Sequence, residues 1–153
     1  MGDEGATLLL ERAIRLDGAA GSAEDAIRQT GQLLVDIGAV DTSYVDAMLE
    51  REQSVSTVMG EGVAIPHGTN ESKDAVRRDA LSFVRFPDGV DWNGKPVTIA
   101  IGIAATGNSH VGILSKLATI LVDPVSARLL RETTDVSEVM ELLTSHEEED
   151  EEE

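Results

Sequence analysis

The stretch Val97 to Ala104, VTIAIGIA, is almost wholly apolar and rich in β-branched residues. A strand with one wet face alternates polar and apolar side chains, whereas one that is apolar throughout has to be covered on both faces. A chain carrying such a strand needs helices on both sides of its sheet, and this sequence supplies them. Ser22 is placed to cap a helix whose first turn holds Glu24 and Asp25, negative groups suited to the positive end of the helix dipole. Ala26, Leu33, Leu34 and Ile37 follow at helical spacing until Gly38 stops the helix. A second, shorter helix opens near Asp41 or Thr42, buries Tyr44, Val45, Met48 and Leu49, and ends around Arg51 and Glu52. Further along, Asn108 or Ser109 caps a helix that runs to about Val122, and Asp123 with Pro124 starts another, since proline fits the first helical position. A last helix begins at Thr134 or Asp135 and turns Val136, Val139, Met140 and Leu143 inward.

The remaining strands are shorter. Arg12 to Leu16 reads as an edge strand, Val63 to Pro66 as a short apolar one, and Ala80 to Phe86 as a third. Pro87 to Gly94, PDGVDWNG, holds two turn signals, Asp-Gly and Asn-Gly, that return the chain toward Val97. With helices before, between and after the strands, the expected fold class is α/β: one three-layer α/β/α domain around a mixed β-sheet. Residues 1–10 are expected to be a flexible lead-in, 11–145 the folded domain, and 146–153 a disordered acidic tail with no apolar side chain to bury.

Charge narrows the choice of function. Twenty-nine acidic residues face twelve basic ones, a formal net charge of −17, and the terminal run Glu147 to Glu153 accounts for only part of the excess. Such a surface repels nucleic acid and anionic lipid. Arginine outnumbers lysine heavily, lysine occurring only at Lys73, Lys95 and Lys116. Two explanations fit: a salt-rich cytoplasm, where a Debye length of roughly 3 Å at 1 M screens dense carboxylates, or an ordinary acidic protein with a solubilising tail. No apolar run approaches the roughly 20 residues that span a bilayer, and MGDEGATLLL lacks the pattern of a signal peptide. The chain contains no cysteine, which removes disulfides, thiolate metal sites and a thiol nucleophile. A cytoplasmic location is expected.

Chemistry then rests on three histidines. His146 adjoins the acidic tail and reads as a solvated surface residue. His67 ends the Val63-Ala64-Ile65-Pro66 strand and precedes Gly68 and Thr69, so its ring sits at a rigid strand edge with room for close approach over glycine. His110 lies in the first turn of its helix, with Leu114, Leu117 and Leu121 on about the same face. Read alone, each has a structural explanation: a strand-end histidine, and the end of a core stripe. Each also has a chemical one, because the bare amides at a helix start attract anions and a histidine there can donate to a phosphate. Three dispersed histidines do not give zinc-ligand spacing, so no metal is expected.

The stretch Met48-Leu49-Glu50-Arg51-Glu52, followed by Gly60-Glu61-Gly62-Val63-Ala64-Ile65-Pro66-His67-Gly68-Thr69, resembles the type 2 enzyme IIA domains of the phosphoenolpyruvate-dependent sugar phosphotransferase system, the mannitol- and fructose-class proteins. The resemblance continues through Lys73-Asp74, Ala80 to Phe86, Ile101 to Ala105, His110 and Val136 to Leu143. It implies a phosphotransferase component whose nucleophile is His67. That residue would accept a phosphoryl group from the carrier protein HPr and pass it to a cysteine of a IIB domain serving a membrane IIBC permease. With no cysteine in this chain, the acceptor is expected on another polypeptide. The resemblance also implies that Arg51 and His110 neutralise the phosphoryl oxygens and that no cofactor is needed. For Arg51 a simple favourable charge at a helix C-terminus remains open, as does an ordinary turn hydroxyl for Thr69, the alternative being a hydrogen bond to the phosphoryl group. Glu61 has no role beyond the loop surface. The free nitrogen of His67 is expected to be the distal one, its partner a carbonyl or hydroxyl. Two other functions fit the same fold: a nitrogen-type regulator phosphorylated on His67, and an interaction module that has lost phosphorylation. The sugar itself is not legible, because the IIC part binds it.

Overall fold

The computed structural model describes residues 9–54, 56–60, 62–69, 74–105 and 109–143. Its strands are β1 (Leu9–Arg15), β2 (Val58–Gly60), β3 (Val63–Ala64), β4 (Ala80–Trp92) and β5 (Lys95–Ala104). Its helices are α1 (Ala23–Asp36), α2 (Ser43–Ser54), α3 (Ser109–Val122), α4 (Pro124–Glu132) and α5 (136–143). The sheet runs in the order β1-β4-β5-β3-β2. The β1–β4 and β3–β5 pairs are parallel, while β4–β5 and β2–β3 are antiparallel. The sheet is therefore mixed, with β1 at an edge.

Strand β5 shows why the chain has three layers. Its side chains alternate between two separate cores, Ala100 and Ala104 on one side and Ile99, Ile101 and Ile103 on the other. The first core is filled by α1 and α2 through Ile27, Leu34, Tyr44 and Met48. The second is filled by α3, α4 and α5 through Ile113, Leu117, Leu130 and Val139. The small residues of β5 face α1, and this face closes at backbone distance. A methyl group at Gly102 would lie 2.5 Å from Ser82 Oγ and 3.1 Å from Thr30 Cβ. Ser82 Oγ in turn donates to the Thr30 carbonyl at 2.8 Å.

Helix α1 is capped by Ser22, whose Oγ accepts from the Asp25 amide at 3.1 Å, and it is stopped by Gly38 at φ +76°. Two boundaries and the buried face of one helix differ from expectation. Strand β1 begins at Leu9, inside the stretch expected to be a flexible lead-in, because Leu9 is fully buried and pairs with Leu81. The Asp88-Gly89 pair does not turn the chain. Gly89, at φ +81°, lies where the β4–β5 register shifts between Arg85 and Val90, so the pair bulges one long strand. The reversal falls at Asn93-Gly94, both at positive φ, with Asp91 Oδ1 accepting from the Gly94 amide at 2.8 Å. In α2, Tyr44 and Met48 are buried as expected, but Val45 and Leu49 are only partly covered and Ala47 takes a buried place. The acidic tail, His146, Glu61 and Lys73 lie outside the described residues.

Candidate functional site

Strands β3 and β5 run parallel, with Val63 opposite Ile99 and Ala64 opposite Ala100. The β3 chain leaves this ladder at Ile65 and rejoins it at His67, which bridges to Ile103. Pro66 has no amide to offer, so it contributes its carbonyl, which accepts from the Ile103 amide at 2.9 Å. The consequence is a histidine held by main chain at the carboxyl end of β5. Its side chain is only 7% exposed.

Ring atom Nδ1 of His67 lies 2.8 Å from the Ile65 carbonyl oxygen. A carbonyl can only accept, so Nδ1 carries the proton and donates it. The neutral ring then has its lone pair on Nε2. The same backbone that fixes the residue thereby fixes its tautomer.

Two further groups brace this segment. Tyr44, the chain's single tyrosine, is 4% exposed. Its hydroxyl donates to the Ile103 carbonyl at 2.8 Å and accepts from the Gly68 amide at 2.9 Å. Burial pushes the Tyr44 phenol above its ordinary range, the Gly68 amide pulling less strongly the other way, so the hydroxyl keeps the proton it donates. On the other side, the Glu52 carboxylate accepts from three donors: the Thr57 amide at 3.0 Å, the Thr57 hydroxyl at 2.5 Å and the Trp92 indole at 2.9 Å. Thr57 then uses its carbonyl to accept from the Ile65 amide at 3.0 Å. A continuous chain of bonds thus runs from Glu52 through Thr57 and Ile65 to the His67 ring.

The sequence-derived site residues fall as follows. His67 and Thr69 share the segment anchored at Ile103. Thr69 is half-buried and lines an open groove of about 510 Å³ together with the carboxylates Asp41, Asp46, Glu50 and Asp74. Arg51 is half-buried in the last turn of α2, seven residues after Tyr44 and so on the same helix face. His110 belongs to the first turn of α3, whose start follows the end of β5, but its side chain lies outside the described residues. The structure therefore gathers His67 and Thr69 at one sheet end and docks the helix bearing Arg51 against them through Tyr44. Among the described residues, no group of three or more histidine, aspartate or glutamate side chains is disposed to hold a metal ion. Nor is any described helix long and apolar enough to cross a membrane.

Sequence reasoning gave no role to the Tyr44 hydroxyl, to Thr57 or to the Glu52 carboxylate. A signal did exist. Tyr44 and Trp92 are the chain's one tyrosine and one tryptophan, large aromatic side chains whose polar atoms find partners when buried.

The family model described as "Phosphoenolpyruvate-dependent sugar phosphotransferase system, EIIA 2" matches residues 7–146. A mannitol-specific phosphotransferase enzyme IIA component of Halalkalibacterium halodurans is 41% identical over 137 residues, covering 90% of this chain and 94% of that protein. The mannitol-specific EIICBA component of Pasteurella multocida is 43% identical over 142 residues, and there the chain spans only 23% of the relative's length. Among solved structures, enzyme IIA in the Escherichia coli complex of enzyme IIAMTL with phosphorylated enzyme IIBMTL superposes with a TM-score of 0.82 at 39% identity. That match covers 90% of this chain and 99% of the other.

Proposed function

The chain belongs to the EIIA 2 family of the phosphoenolpyruvate-dependent sugar phosphotransferase system, and from that membership we propose that it is a phosphoryl carrier acting through His67. The observation that carries the reading is the 2.8 Å contact between His67 Nδ1 and the Ile65 carbonyl, which leaves Nε2 as the nucleophilic atom. In the first half-reaction the Nε2 lone pair attacks the phosphorus of a phosphohistidine on HPr. The N–P bond of the donor breaks, and its electron pair returns to the donor ring. In the second, a thiolate of a IIB protein attacks the same phosphorus, and the N–P bond to His67 breaks. Little covalent chemistry is left to the protein beyond positioning and neutralising charge. Arg51, His110 and the Thr69 hydroxyl are the groups assigned to the phosphoryl oxygens.

A IIB acceptor is supported by the likeness to the enzyme IIA chain solved in complex with phosphorylated enzyme IIBMTL. The carboxylates along the groove beside Thr69 suit partners that bring basic side chains close to their own reacting residue. The mannitol-specific relatives favour mannitol over fructose as the sugar served. A cytoplasmic location goes with this reading, since HPr and the IIB part of a permease would have to meet the carrier there.

The test is a reconstituted transfer. With phosphoenolpyruvate and the upstream proteins, the chain is expected to take up one acid-labile, alkali-stable phosphoryl group and lose it when a IIB protein is added. Absence of label overturns the reading. His110→Ala is expected to stay folded and become phosphorylated, yet to hand the group on more slowly by about 10²–10³, the usual consequence of removing one preorganised donor. Wild-type rates in both halves would make His110 structural.

The acid excess carries a separate expectation. With a formal charge of −17, self-repulsion is strong in dilute buffer and screened in concentrated salt. The thermal midpoint is expected to climb steeply as KCl rises from about 0.1 to about 3 M, where the Debye length drops below roughly 3 Å. A flat curve would mark an ordinary acidic protein and remove the case for a salt-rich cytoplasm.

A further inference from the structure

We infer that Tyr44 is a positioning residue for phosphoryl transfer, its hydroxyl setting both the His67 peptide and the register of α2. The kinetic part of this inference rests on His67 being the carrier; the structural part does not.

The hydroxyl joins two groups that flank the histidine. Ile103 is the bridge partner of His67, and its amide already donates to the Pro66 carbonyl on the near side. Its carbonyl accepts from Tyr44 at 2.8 Å, and the same oxygen of Tyr44 accepts from the Gly68 amide at 2.9 Å on the far side. The peptides on both sides of His67 are thereby tied to one residue of the central strand. This leaves the ring little freedom to drift from the Ile65 carbonyl. The phenol itself belongs to α2, and Arg51 lies two turns further along the same face. One hydroxyl therefore sets where α2, and with it Arg51, stands relative to the nucleophile. A ring that merely filled space would need no such pair of bonds, and phenylalanine would serve as well.

Tyr44→Phe separates the two roles, because it keeps the packing and removes only the oxygen. In long-range proton–nitrogen spectra, wild-type His67 is expected to show a single tautomer with the proton on Nδ1. In the variant the two tautomers are expected to mix. The rate constant for phosphoryl uptake at saturating donor should fall by about 10- to 100-fold, the range seen when a reacting group is misplaced by about 1 Å. The donor concentration giving half the maximal rate should barely move, since a 4% exposed side chain offers the donor no contact. Ser126→Ala serves as the comparison: it also removes a hydroxyl that makes a hydrogen bond, here to Asp123 at the start of α4, and it should leave tautomer and rate unchanged. A Tyr44→Phe protein with wild-type tautomer and wild-type rate overturns the inference. Should the variant fail to fold, exchange of the Gly68 amide in wild-type protein decides: slow exchange supports the inference and rapid exchange overturns it. Failure of the wild-type protein to take up phosphate would count against the carrier reading alone, because the tautomer and exchange measurements need no phosphate.

Discussion

Replacing His67 with alanine is expected to abolish phosphoryl uptake while leaving a folded protein. The structural cost is small because the segment is anchored by main chain rather than by the ring. The Pro66 carbonyl still accepts from Ile103, and the Gly68 amide still reaches Tyr44. The loss includes the hydrogen bond to the Ile65 carbonyl, worth about 1 kcal/mol net, and some buried ring surface. The chemical loss is total, since alanine has no lone pair to attack phosphorus. No cysteine is available to take over, and the other histidines are His110 and His146. Label from phosphoenolpyruvate should fall to background while the far-ultraviolet circular dichroism spectrum stays that of the wild type. A labelled His67→Ala protein would move the carrier elsewhere, with His110 the first place to look.

The second large effect should come from Glu52, a residue with no reacting atom. Its carboxylate takes three donors, two of them from Thr57 and Trp92 side chains that are 5% and 0% exposed as residues. Hydrogen bonds to a charged acceptor contribute about 1.5–3 kcal/mol each, and a buried donor stripped of its partner costs about 1–3 kcal/mol. These figures do not add fully, so Glu52→Ala is expected to destabilise the protein by about 3–5 kcal/mol. For a domain of this size each kcal/mol shifts the midpoint by about 2–4 °C, and thermal unfolding should begin roughly 10 °C lower. Because Thr57 also holds the Ile65 amide, the variant that remains folded should transfer phosphate poorly. A midpoint within a degree or two of wild type would show that the indole and hydroxyl find other partners.

The sequence and the structure agree on the layers and on the ends of α1. The nearly continuous apolar run of β5 implied helices on both faces, and the alternation of Ala100 and Ala104 with Ile99, Ile101 and Ile103 shows the reason. Ser22 and Gly38 marked the ends of α1 because capping and left-handed geometry are local. Agreement failed where two local signals competed. Asp88-Gly89 and Asn93-Gly94 carry the same turn chemistry, and only the pairing of β4 with β5 decides which one reverses the chain. At the site, His67 was singled out by the resemblance that its Ala-Ile-Pro-His-Gly stretch carries, since a strand-end histidine read alone also has a structural explanation. The bracing by Tyr44 and Glu52 did not, because it depends on contacts with Ile103 and Trp92 that lie far apart in sequence. Periodicity says which side chains point inward; it does not say which polar atom meets which.

The partner of Nδ1 has a consequence for how the carrier lets go. Any intermediary in a relay must be a good nucleophile in one encounter and a good leaving group in the next, and the two demands pull basicity in opposite directions. A carboxylate opposite Nδ1 would favour the positively charged ring and bind the phosphoryl group more firmly. A neutral carbonyl such as that of Ile65 orients the ring without that electrostatic push. It also belongs to the main chain, so no side-chain substitution removes it and no change of pH titrates it. On the reading that His67 is the carrier, the orientation of its ring toward Ile65 is in this sense inherited from the fold.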